Sequence, residues 1–151
     1  MKVLKPIILL ASLISFVLGF IFESIWFSVG AIPFAYFIYF AFHEFGHVVA
    51  CLITKTKVNY VDICGYIFSN KFEISNKIEL FGKVNFEKGN YSKLIYFFGI
   101  LFSLLLSGAV ITLYILQYTN FVYLITICVL LTITLLPLPG SDIIKLFKRN
   151  N

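Results

Sequence analysis

The only two histidines of this chain stand four residues apart, as His43-Glu44-Phe45-Gly46-His47. On a helix such a pair shares one face, one turn apart, so both imidazoles can reach a single metal ion. Glu44 projects beside them and suits the role of general base toward a water activated by that ion. The competing explanation is a set of polar side chains that satisfy one another inside a helix bundle. An ionisable group within a bilayer costs about 2.5 to 3.5 kcal/mol and needs a partner. The apolar stretches of this chain hold no Lys or Arg to pair with Glu44. A divalent cation supplies the missing charge, and histidines in this pattern favour zinc (Zn2+).

Two histidines leave a catalytic zinc one protein ligand short. Glu23 falls at the far end of the neighbouring apolar stretch, and Asp62, Glu73, Glu79 and Glu87 fall in the polar middle of the chain. Asp142 is better placed. It follows Leu136-Pro137-Leu138-Pro139-Gly140-Ser141, where two prolines and a glycine end a helix and free the backbone to turn a carboxylate inward. Its other possible role is the N-cap of a short helix over residues 143–148. The need for a third ligand favours Asp142 as metal ligand.

The elements that must hold these residues are apolar. Of 151 residues 60% are hydrophobic, 19% aromatic and 13% charged, with a mean hydropathy of +0.97. So little polar surface excludes a soluble globule, a disordered chain and a nucleic-acid domain. Cys51, Cys64 and Cys128 form no even disulfide framework and suit core packing. Four stretches, about residues 6–22, 25–53, 94–117 and 121–138, each approach the roughly 20 apolar residues that cross a bilayer as a helix. The first is read as a retained helix, since no clean cleavage site follows it. The polar residues 54–93 alternate with a period of two at Phe72 and Ile74, Ile78 and Leu80, and Val84 and Phe86, with turns expected at Asn70, Asn76, Gly82 and Gly89-Asn90. The expected fold is therefore an all-α membrane protein, a single polytopic domain over residues 1–151 with four transmembrane helices and a small cytoplasmic-face β-sheet between helices two and three. Four crossings would put all 12 basic residues on one side, which makes both termini cytoplasmic. Lys outnumbers Arg eleven to one, a composition that hints at an AT-rich bacterial genome and hence a bacterial cell membrane.

Residues 42–50, Phe-His-Glu-Phe-Gly-His-Val-Val-Ala, together with Leu135-Leu136-Pro137-Leu138-Pro139-Gly140-Ser141-Asp142, resemble the site-2 protease family of intramembrane zinc metalloproteases. The likeness covers about residues 34–147 and implies His43, His47 and Asp142 as zinc ligands and Glu44 as catalytic base. It implies hydrolysis of a peptide bond in or near a substrate's transmembrane segment, with a membrane-anchored protein or peptide and the lipid bilayer as partners and no nucleic acid. Several positions depart from the family pattern. Ile143 follows Asp142 where the family has Gly, and Thr132 or Thr134 occupies the region of the family's Asn. The family's Gly-Pro-x-x-Asn appears only as Gly99-Ile100-Leu101-Phe102-Ser103, and there is no PDZ domain. Gly99, Ser103 and Ser107 also read as a small-residue stripe for close helix packing. The rival expectation is a non-proteolytic membrane binding or regulatory protein with a structural zinc site; a metal transporter is disfavoured, because one histidine pair makes no chain of ligands across a membrane.

Overall fold

The apolar stretch expected as one helix over residues 25–53 is broken in two. The computed structural model describes residues 4–22, 25–69, 71–75, 81–87, 91–137 and 141–147. Within them α1 is Leu4–Phe22, α2 Ile25–Gly30, α3 Ile32–Ile53, α4 Ser92–Ile115, α5 Phe121–Leu135 and α6 Asp142–Phe147. Pro33 lies in the first turn of α3, where its missing N–H is tolerated, and Ala31 is the hinge residue before it. α5 stops at Leu135 because Leu136 turns extended (φ −67°, ψ 135°), the conformation that the following Pro137 enforces.

The expectation of an all-α protein with four transmembrane helices is corrected here. Among the described residues only α3 and α4 are long and apolar enough to cross a membrane; the apolar helices Leu4–Gly19 and Phe121–Leu135 fall short. At 1.5 Å per residue, α5 reaches about 22 Å against a hydrocarbon core of about 30 Å. With two candidate spans, residues 54–91 and the two flanks no longer sort onto one face. The assignment of both termini to the cytoplasmic side, which rested on four crossings, loses its premise.

The chain is also not all helix. The polar middle forms a four-stranded antiparallel sheet of β1 (Val58–Ile63), β2 (Tyr66–Phe68), β3 (Phe72–Ile74) and β4 (Lys83–Phe86), in the order β3-β2-β1-β4. β3 and β4 sit where the alternation at Phe72, Ile74, Val84 and Phe86 puts strands. Asn70, Asn76, Ile78, Leu80 and Gly89-Asn90 lie outside the described residues, as do Leu138, Pro139 and Gly140. The β1–β2 hairpin turns on Cys64 (φ 53°) and Gly65 (φ 88°), between the paired Ile63 and Tyr66. Positive φ at both turn residues is the two-residue geometry whose twist matches that of the strands. Asp62 braces it by accepting a 2.7 Å hydrogen bond from the Gly65 amide.

α3 and α4 form the centre of the molecule and approach closely because glycine stands at their contact. A Cβ on Gly46 would lie 2.5 Å from the Phe98 carbonyl oxygen, and one on Gly99 would enter the His47 ring. Buried Ala50, Cys51 and Ile95 close one end of this seam, and Tyr39 and Phe40 join Ile127 and Leu130 of α5 at the other. The hydroxyl of Tyr39 donates to Thr134 on α5 at 3.0 Å. α5 thus runs back along α3 and returns the chain to the level of the histidines.

Candidate metal centre

His43 and His47 lie on the face of α3 that meets α4, and α4 fixes both rings. The Nδ1 of His47 donates to the Ile95 carbonyl at 2.8 Å, since a carbonyl only accepts. The Nδ1 of His43 lies 2.8 Å from the Ser103 hydroxyl. Each ring is thereby held by its Nδ1, which leaves its Nε2 pointing into the site, the arrangement that orients histidine metal ligands. The two Nε2 atoms are 3.2 Å apart.

Asp142 completes the group from the first turn of α6. Its Oδ2 lies 2.9 Å from His43 Nε2 and 2.8 Å from His47 Nε2. These three side chains could hold a metal ion. A neutral His47 that donates through Nδ1 carries a lone pair on Nε2, and that lone pair faces a carboxylate oxygen, itself an acceptor. A positive centre, either a proton on the imidazole or a metal ion, must stand between two acceptors at this separation. Four ligands at about 2.0 to 2.1 Å in a tetrahedron stand roughly 3.3 to 3.4 Å apart, so edges of 2.8, 2.9 and 3.2 Å accept such an ion after a few tenths of an ångström of expansion. Burial alone would raise the Asp142 carboxyl, but its hydrogen bonds to His43 and His47 outweigh that and hold it well below the usual carboxylate range.

Glu44 is close by without being a ligand. Its Oε2 is 4.0 Å from His47 Nε2 and has no hydrogen-bond partner among the described residues, although Glu44 is only 3% exposed. The sheet covers it. A Cβ on Gly82 would lie 2.5 Å from both Glu44 Cγ and Oε1, so the chain entering β4 packs directly on the Glu44 side chain. The Val84 backbone, two residues on, hydrogen-bonds the same carboxylate.

The remaining sequence candidates fall elsewhere. Asp62 braces the β1–β2 turn, Glu73 is exposed on β3, and exposed Glu87 pairs with Lys57 at 3.7 Å. Glu23 and Glu79 lie outside the described residues. Ser141, not Asp142, occupies the cap of α6, its Oγ accepting from the Ile144 amide at 3.5 Å. Burial pushes the Cys64 thiol up to about 12, so the free thiol stays protonated. Of the two threonines, Thr134 faces inward to Tyr39 and Thr132 is exposed.

Three participants were not assigned from sequence. Ser103 bonds His43, whereas in the sequence it had signalled helix packing and a departure from the family's Gly-Pro-x-x-Asn, not a partner of the histidine. The Ile95 carbonyl has no sequence signature. Lys145, whose Nζ lies 3.0 Å from Asp142 Oδ1, is signalled only by its place one turn after the aspartate. Compared with protein-family models, with characterised proteins and with solved structures, the chain finds no match, and the roles above rest on its own geometry.

Proposed function

We propose that this chain is a membrane-embedded zinc metalloprotease of the site-2 protease type, hydrolysing a peptide bond in or near the transmembrane segment of a membrane-anchored protein or peptide. The observation that carries this reading is the pairing of a group that could hold a metal, His43, His47 and Asp142, with a buried carboxylate oxygen of Glu44 that lies 4.0 Å from His47 and has no partner among the described residues. Three protein ligands, which leave a fourth position for the reaction, distinguish a catalytic zinc from a structural one, and two imidazoles with one carboxylate suit that metal. When bound, zinc supplies a Lewis acid that activates water and polarises the scissile carbonyl. Glu44 takes a proton from the attacking water at Oε2 and returns it to the leaving amine. The Ile95 carbonyl, which only accepts, keeps the proton of His47 on Nδ1, and Ser103 holds the His43 ring in place.

Two spans, α3 and α4, would carry the site within the bilayer, where the sheet and the neighbouring helices shield Glu44 from water. A substrate helix hides its peptide bonds in internal hydrogen bonds and must unwind to be cut. Among the described residues β4 is an edge strand, and Gly82 just before it lies against Glu44, so an extended segment added to that edge would lie beside the base.

The test is Glu44→Gln in purified, zinc-loaded protein given a membrane-anchored peptide. The variant should keep one equivalent of zinc and cleave at least about a hundredfold more slowly, since general acid-base catalysis contributes 10²- to 10⁴-fold. Cleavage at the unaltered rate would exclude hydrolysis by this site.

A further inference from the structure

We propose that Lys145 is a positioning residue that holds Asp142 in the orientation in which a metal is bound. This rests on the metal-site reading above and extends it to a residue outside the ligand group. The two oxygens of Asp142 have separate partners: Oδ2 lies within 2.9 Å of both Nε2 atoms, and Oδ1 lies 3.0 Å from Lys145 Nζ. The carboxylate is thereby fixed about both of its side-chain torsions. A charge-assisted hydrogen bond to an ammonium is short and strong enough to decide between rotamers.

The clamp is needed because the backbone beneath Asp142 is slight. α6 has six residues, and none of them is buried. The histidines, by contrast, sit on the 22-residue α3 and are each tied to α4. Lys145 supplies an equivalent tie for the third ligand. It reaches Asp142 one turn back along α6, and its ammonium also stands 5.0 Å from the centre of the Tyr96 ring on α4. The cation–π contact anchors the lysine to the same helix that anchors both histidines, so all three metal-facing groups are referred to one rigid element.

Cobalt(II) titration of the metal-free full chain in detergent tests this without any substrate. Wild-type protein should bind one Co(II) with a visible ligand-field band that marks the site's geometry. Lys145→Met should bind Co(II) about 10- to 100-fold more weakly, the usual effect of removing an outer partner of a metal ligand. Its band should move toward that of Asp142→Ala. Lys145→Arg, which keeps the cation, should restore most of the wild-type band and affinity. If Lys145→Met does not fold by circular dichroism, Lys145→Gln takes its place with the same expectation. Wild-type affinity and an unchanged band in the neutral variant would overturn the positioning role while leaving the metal site intact. Failure of the wild-type chain to bind Co(II) would remove the metal site itself, and the role of Lys145 with it.

Discussion

A methyl group added at Gly99 or at Gly82 would strike two different parts of one site. At Gly99 it would enter the His47 ring, which cannot swing away because its Nδ1 is bonded to the Ile95 carbonyl. Gly99→Ala should therefore push α4 off α3, lower stability by about 1 to 3 kcal/mol as overpacked cores do, and reduce metal content; thermal unfolding and elemental analysis would show both. At Gly82 the methyl would meet the Glu44 side chain, which can yield. Gly82→Ala should leave fold and metal content unchanged and slow peptide cleavage by up to about a hundredfold, the effect of misplacing a reacting group by an ångström. Equal metal loss in both variants would contradict this separation. The pairing of His43 with His47 was legible in the sequence because an i, i+4 spacing puts both on one helical face. The partners on α4 were not, because a backbone carbonyl carries no residue identity and contact across helices depends on how they pack.

The ends of the helices hold information that composition alone does not. α3 and α4 both finish with a non-glycine residue in the left-handed region, Lys55 at φ 54° and Gln117 at φ 63°. In each, the next amide reaches back to close the last turn: Thr56 to Cys51 at 2.8 Å and Tyr118 to Leu113 at 2.9 Å. Glycine is the usual residue at this position because a Cβ is strained there. Gln117→Gly should thus stabilise the chain by about 1 kcal/mol, read as a rise in the unfolding midpoint followed by circular dichroism. A fall would mean that the Gln117 side chain holds the turn after all. Such ends escape a reading by apolar runs, which merged α2 with α3 across Ala31 and extended α5 past Leu135. Pro33 and Pro137 were the visible signals. The sheet was legible where Phe72, Ile74, Val84 and Phe86 alternate, but the Cys64-Gly65 turn lacks the Asn-Gly or Asp-Gly pair that marks such hairpins.

Across the whole molecule, large apolar side chains face outward, among them Ile7, Leu10 and Ile14 on α1, Leu105 and Ile115 on α4, and Trp26 at 82% exposed. If α3 and α4 cross a bilayer, the protein should stay in the membrane pellet after alkaline carbonate washing and leave it only in detergent; release by carbonate would place it at the surface instead. Apolar composition made the two candidate spans legible, but apolar length alone overstated their number. Zinc at about 100 times its dissociation constant should stabilise the folded chain by about 2.7 kcal/mol, and a chelator should remove that gain without lowering the midpoint of the His43→Ala/His47→Ala variant. Asp142 meets His43 across 99 positions of sequence. In terms of chain statistics, an ion joining them closes a loop of the size for which a covalent cross-link removes about 4.7 kcal/mol of unfolded-state entropy. In terms of synthesis, a nascent chain that has completed α1 to α5 already holds Glu44 and both histidines but not Asp142. If the site hydrolyses peptides as proposed, competence would arrive only after the return of α5 has set α6 against α4, so that no partly made chain could cut its neighbours.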